Sequence, residues 1–199
     1  MIFTYQRNEE RKMHVFHELS VAKELAITAG EEILNIYNSH KNFTVERKED
    51  DSPLTLADKK SHQIIYKGLK QTFPKMAVLS EEMVDDYSRL NKSWVWIVDP
   101  LDGTKEFIKR NGQFTVNIAL TYGGQPVLGV IYVPASKTLY YASKNHGAFK
   151  KEGGLTDPIK VTNKLKNLTV VGSASHQSQE EIELIHKKKY LINDYKSIV

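Results

Sequence analysis

The stretch FTVNIALTYGGQPVLGVIYV, residues 114–133, alternates Phe114, Val116, Ile118 and Leu120 with Thr115, Asn117, Ala119 and Thr121, then turns through Gly123-Gly124 into a second apolar run, Pro126–Val133. A period of two marks a strand with one buried face, and a Gly-Gly pair between two such runs predicts a β-hairpin. Antiparallel pairing follows. Downstream, Leu139–Ala142 and Ala148–Lys150 add short strands to the same sheet. Upstream, Met76–Leu79 and Trp94–Val98 read as buried strands; the second is expected to halt at Asp99-Pro100, because proline has no N–H for a ladder.

Working outward, the period changes. Leu19, Ala22, Leu25, Ala26, Ala29, Ile33, Leu34 and Tyr37 recur at the three-and-four spacing of one helix face, predicting an amphipathic helix over 18–38. Residues 1–17 lack that period and are read as an extension. Thr55 and Asp58 stand three apart, like a capping box opening a second helix that runs to about Leu69 and stops at Thr72-Phe73-Pro74. Gly153-Gly154 marks a domain boundary, followed by strands near Ile159–Val161 and Leu168–Gly172 and a helix from Ser178 capped with Glu181. Helices grouped beside an antiparallel sheet, rather than strictly alternating with parallel strands, indicate an α+β layered fold.

Composition removes several chemistries. The 199 residues contain no cysteine, which excludes thiolate nucleophiles, disulfides and Cys-ligated metals and suits a reducing cytoplasm. No segment approaches the roughly 20 apolar residues of a membrane span. The 28 basic and 24 acidic side chains give a net charge of +4, ordinary for a solvated surface. No Walker loop, dinucleotide fingerprint or HExxH occurs.

Three acidic groups at element ends carry the functional reading: Asp58 in Thr55-Leu56-Ala57-Asp58, the pair Glu81-Glu82, and Asp99-Pro100-Leu101-Asp102-Gly103-Thr104. Each alone has an ordinary explanation as helix cap, solvated loop or turn. Together they change the weighing, since Asp-Pro-x-Asp-Gly-Thr arises by chance on the order of once per million start positions at average residue usage. The strand delivers Asp99 at its edge, Asp102 can cap a short helix beginning Gly103-Thr104, and that helix start offers N–H groups to phosphate oxygens. Carboxylates without sulfur or imidazole select hard cations, and magnesium takes a few carboxylates, water and a substrate phosphate. Phosphomonoester hydrolysis is the chemistry this describes. His176, in Ser173-Ala174-Ser175-His176, reads first as a surface residue and second as an anion contact.

At Ser80-Glu81-Glu82, Trp96–Phe107 and Phe114–Leu120 the chain resembles the inositol-monophosphatase-like superfamily, and the branch of bacterial 3′(2′),5′-bisphosphate nucleotidases in particular. Leu101, Thr104-Lys105-Glu106-Phe107, Lys48 with Asp51-Ser52-Pro53-Leu54-Thr55 and Asp58, and Gly129–Pro134 favour that branch. The resemblance implies a layered α/β sandwich of the sugar-phosphatase type. Its expected organisation is an extension at 1–17, a metal-binding α+β domain at 18–153 and an incomplete α/β domain at 154–199, the chain stopping before the family's later Trp-Asp motif.

By the same resemblance Glu81, Asp99 and Asp102 bind Mg2+ through carboxylates and Leu101 through its carbonyl. Asp58 and Thr104 activate the attacking water, and Glu81, Leu101, Asp102, Gly103 and Thr104 face the substrate. The implied substrate is a small nucleotide, adenosine 3′,5′-bisphosphate, cleaved to AMP and phosphate, with no nucleic acid as partner. The implied place is the cytoplasm; a homodimer and a peripheral position at the inner membrane stay open. So do two other readings: an inositol monophosphatase or sugar bisphosphatase, and an inactive anion-binding remnant.

Overall fold

A computed structural model describes residues 2–39, 45–47, 53–173 and 178–198, and the chain divides into two compact units, one to Ile159 and one from Lys160. In the first, helix α1 (Ile2–Asn38) precedes a two-stranded antiparallel ribbon of β1 (Val45–Arg47) and β2 (Pro53–Thr55), then helix α2 (Leu56–Thr72). Strands β3 (Ala77–Ser80) and β4 (Trp94–Asp102), the short helix α3 (Thr104–Ile108), and β5 (Thr115–Tyr122) follow. The unit closes with β6 (Gln125–Val133), β7 (Thr138–Ser143), β8 (Gly147–Glu152) and β9 (Leu155–Ile159).

Strands β3 to β9 form one sheet in sequence order, parallel between β3 and β4 and antiparallel thereafter. The hairpin read from residues 114–133 is β5 and β6, paired from Tyr122 with Gln125 to Val116 with Tyr132. One face of the sheet is covered by α1 and α2. Trp96, Val98, Val116, Ile118, Leu120, Val130 and Tyr132 meet Ala22, Ala26, Ala29 and Ile33 of α1 and Ile65 and Leu69 of α2 there. Each large aliphatic or aromatic side chain so buried contributes roughly 1.5–3 kcal/mol.

The helix read at 18–38 continues back to Ile2, so the expected extension is helical backbone. Residues 1–17 contain no glycine or proline to stop a helix, although they lack the apolar period that would announce one. At Gly153-Gly154 the structure has a hairpin turn joining β8 to β9, and the two units part six residues later. A Gly-Gly turn signal is the same for a hairpin and for a linker. The strand read near Ile159–Val161 ends at Ile159 and belongs to the first unit's sheet.

Within the second unit, β10 (Leu168–Ser173) pairs in parallel with β11 (Ile192–Ile198), with helix α4 (Gln179–Lys187) between them in sequence. Ser178 caps α4 in a capping box with Glu181. No helix of the described residues is long and apolar enough to cross a membrane.

At Gly30 α1 approaches the sheet closely: a Cβ there would lie 2.5 Å from the ring of the buried Tyr132 and 3.1 Å from Pro134. Alanine elsewhere in a helix gains about 1 kcal/mol over glycine. At this contact overpacking costs about 1–3 kcal/mol. Gly30→Ala is therefore expected to lower the urea midpoint while leaving the denaturant slope unchanged; a raised midpoint would show the approach to be loose.

Candidate metal and phosphate site

A break in the pairing of β4 with β5 organises the site. Asp99 lies opposite Asn117 and Asp102 opposite Thr115, so three steps along β4 match two along β5. That is a β-bulge, with one extra residue on β4. The burial pattern agrees, since Pro100 and Leu101 are buried in succession where strict alternation would bury only one. Side chains alternate faces along a strand, so residues three apart would ordinarily point oppositely. The bulge restores parity and brings Asp99, Asp102, Thr115 and Asn117 to one face of the sheet. The strand expected to halt at Asp99-Pro100 thus continues to Asp102, with proline in one of the sheet positions that tolerates it.

Glu81 arrives from the neighbouring strand. Its N–H donates to Val98 O at 3.1 Å, prolonging the pairing of β3 with β4 by one bond and setting Glu81 beside Asp99. His62 of α2 steadies that strand end, its Nδ1 lying 2.8 Å from Ser80 Oγ. Asp99 is pushed up to about 8: burial is the largest cause, followed by the charge of Glu81, a side-chain hydrogen bond with Glu81, and the charge of Asp102. The Leu101 N–H, 3.2 Å from Asp99 Oδ1, pulls weakly the other way. Burial and the neighbouring carboxylates thus hold Asp99 toward its protonated form, in hydrogen-bond contact with Glu81.

From the helical side, the capping box read at Thr55 and Asp58 is present, and it fixes the third carboxylate. Asp58 Oδ2 accepts from Thr55 N at 2.7 Å and from the Thr55 hydroxyl at 2.5 Å. Asp58 Oδ1 accepts from the Thr104 hydroxyl at 3.0 Å, across 46 residues of chain. Burial raises the Asp58 pKa above the ordinary aspartate value, and the hydrogen bonds from Thr55 and Thr104 oppose the rise. Thr104 Oγ1 also lies 3.2 Å from Leu101 O. One turn further along α2, the buried Ser61 hydroxyl donates to Pro100 O at 2.7 Å and pins the bulge to the helix.

A network of contacts therefore spans Glu81, Asp99, Leu101, Thr104 and Asp58, with the single Thr104 hydroxyl proton shared between Asp58 Oδ1 and Leu101 O. Asp102 stands outside it, exposed, and accepts from Asn117 Nδ2 at 3.1 Å. It was expected to cap the helix at Gly103; instead Gly103 itself is the N-cap of α3, with φ 90°. A left-handed φ of that kind favours glycine because a Cβ is strained there. Ser61, Thr115 and Asn117 were not singled out from sequence. An Asn falling opposite Asp99 becomes a signal only once the strand register is known.

Among the described residues no group of three or more Asp, Glu or His side chains is drawn together tightly enough to hold a metal by side chains alone. The donors are a contacting carboxylate pair, Glu81 and Asp99, with Asp102 close enough to repel Asp99. This set suits a small hard dication: all its donors are oxygens, and the crowding of negative charge is relieved by a proton or by a cation. His176 and the stretch Lys48–Ser52 lie outside the described residues.

Comparison with known proteins adds independent evidence. A sequence model described as the inositol monophosphatase family matches residues 17–197. Over 166 residues the chain is 45% identical to the 3′(2′),5′-bisphosphate nucleotidase CysQ of Salmonella typhimurium, covering 82% of this chain and 66% of that protein. It thus spans just under two thirds of the length of the curated relatives it matches. The crystal structure of CysQ from Bacteroides thetaiotaomicron, described as a bacterial member of the inositol monophosphatase family, superposes with a TM-score of 0.77 at 40% identity, over 92% of this chain and 72% of that one. The extragenic suppressor protein suhB from Bartonella henselae superposes at 0.76 with 26% identity, over 92% and 70%.

Proposed function

The chain belongs to the inositol monophosphatase family, and on that premise we propose that it is a magnesium-dependent phosphomonoester hydrolase, a 3′(2′),5′-bisphosphate nucleotidase that converts adenosine 3′,5′-bisphosphate to AMP and phosphate. The nucleotide assignment leans on the relatives named 3′(2′),5′-bisphosphate nucleotidase. The observation that carries the chemistry is the contact of Glu81 with Asp99 beside a Thr104 hydroxyl that donates to Asp58 Oδ1 across 46 residues of chain.

In this reading Glu81, Asp99 and Asp102 hold magnesium with their carboxylates and Leu101 with its carbonyl oxygen. Magnesium, when bound, polarises the phosphoryl group and lowers the pKa of water. Thr104 orients the attacking water: its oxygen accepts the water's proton while its own hydroxyl proton passes to Asp58 Oδ1. The raised pKa of Asp58 brings this base nearer to neutral pH than an ordinary aspartate, which favours proton transfer. The backbone N–H groups of Gly103 and Thr104 bind phosphate oxygens. As the water oxygen joins phosphorus, the phosphorus–oxygen ester bond breaks, the leaving ribose oxygen takes up a proton from solvent water, and Asp58 returns to solvent the proton it received.

Phosphate release from adenosine 3′,5′-bisphosphate is the direct test, run with magnesium and with inositol 1-phosphate as the comparison substrate. Release from the nucleotide that stops on chelation is expected. No release at high protein concentration would overturn the assignment, and faster release from inositol 1-phosphate would move the substrate to an inositol phosphate.

A further inference from the structure

Asn117 sits on β5 directly opposite Asp99, half-buried, on the face that the bulge also gives to Asp102. Its amide nitrogen donates to Asp102 Oδ2 at 3.1 Å, and its amide oxygen accepts from the Thr115 hydroxyl at 3.0 Å. Both ends of the amide are thus engaged, in a line Thr115–Asn117–Asp102. We propose that Asn117 is a positioning residue for the metal site: it turns the Asp102 carboxylate so that Oδ1 is presented to the ion, while Thr115 fixes which way the amide faces.

The chemistry of the three groups assigns the directions. An ionised carboxylate only accepts hydrogen bonds, so the NH2 end of Asn117 must face Asp102. The opposite end is then a carbonyl that needs a donor, and the Thr115 hydroxyl supplies one. Asp102 needs such help more than its neighbours. Asp99 is held by Leu101 N–H and by Glu81, and Asp58 by Thr55 and Thr104, but Asp102 is an exposed side chain beyond the bulge and Asn117 holds its carboxylate. An unheld carboxylate samples several rotamers, and each must be given up when the ion binds. Groups hydrogen-bonded to metal ligands commonly change metal affinity 10–100-fold when removed.

This inference rests on the reading of Asp102 as a ligand, and titration calorimetry with Mn2+ as the probe tests the two separately. For Asn117→Ala we expect about tenfold weaker Mn2+ binding with little change in the melting temperature of the metal-free protein. Thr115→Val should weaken binding less, since the amide then keeps Asp102 but loses its anchor. The double variant Thr115→Val/Asn117→Ala should bind no worse than Asn117→Ala alone, because Thr115 acts through Asn117.

Asp102→Asn supplies the control. If it weakens Mn2+ binding while Asn117→Ala does not, the positioning role is wrong and the ligand reading stands. If neither changes affinity, or the unmodified chain takes up no Mn2+, the ligand reading falls and this inference with it. Additive losses from Thr115→Val and Asn117→Ala, or a lowered melting temperature with unchanged Mn2+ affinity, would mark both side chains as merely structural and overturn the proposal.

Discussion

Asp99→Asn is expected to cut phosphate release by about 10³-fold or more, a loss near 4 kcal/mol of transition-state stabilisation, while making the metal-free protein more stable at pH 8. The two effects have one cause. Asp99, half-buried, is held in hydrogen-bond contact with the exposed Glu81, with Asp102 adding a further like charge. That crowding suits a cation and destabilises the site without one. An asparagine keeps the contact, its amide donating to Glu81, but removes the charge on which the proposed metal binding depends.

The pH dependence gives the sign. An aspartate in an unfolded chain titrates near 3.9. Folded, Asp99 is raised to about 8, so the native state binds this proton more tightly than the unfolded state does. Its contribution to stability is fully present below about pH 4 and is lost as pH rises toward 8. Water penetration and relaxation screen much of the raw shift, leaving a difference on the order of 2 kcal/mol between unmodified and Asp99→Asn protein at pH 8. Urea unfolding of both proteins at pH 5 and pH 8, with and without magnesium, measures it. Magnesium should stabilise the unmodified chain and leave the variant unchanged. A variant less stable than the unmodified protein at pH 8 without metal would show that the pair is not in repulsive contact.

For Asp58→Asn the expected result is a fall in kcat of about 10²–10⁴-fold with KM little changed, the range associated with loss of a general base. The acid limb of the pH–rate profile should disappear with it. That limb is expected at higher pH than an ordinary aspartate would give, because burial raises the Asp58 pKa. Folding should suffer little. The asparagine oxygen can still accept from Thr55 N, and the Thr104 hydroxyl can turn to Leu101 O, 3.2 Å away. Asp58→Ala, by contrast, leaves the buried Thr55 N–H without its acceptor and should cost about 1–3 kcal/mol of stability as well as activity. If Asp58→Asn raised KM with kcat intact, Asp58 would be a binding residue and the base would lie elsewhere.

Much of this was legible along the chain because it is local. A capping box needs only residues three apart, so Thr55 with Asp58 and Ser178 with Glu181 could be read directly. The hairpin of β5 and β6 needs two alternating runs and a turn, and these are contiguous. The errors came where one signal serves two structures. Gly153-Gly154 reads alike as linker and hairpin, and Asp99-Pro100 alike as a strand end and a bulge.

By itself, then, the sequence determined the element types along most of the first unit, the buried face of α1 from Leu19 onward, and the inventory of oxygen donors at Asp58, Glu81, Asp99 and Asp102. Only the tertiary structure decided which of those donors meet. The extra residue on β4 turns Asp102 to the side of Asp99, the parallel register of β3 sets Glu81 against Asp99, and the packing of α2 carries Asp58 to Thr104, 46 residues away. Side-chain periodicity propagates over only a few residues, whereas the parity of a strand face and the meeting of distant carboxylates are fixed by pairing and packing between segments far apart in the chain.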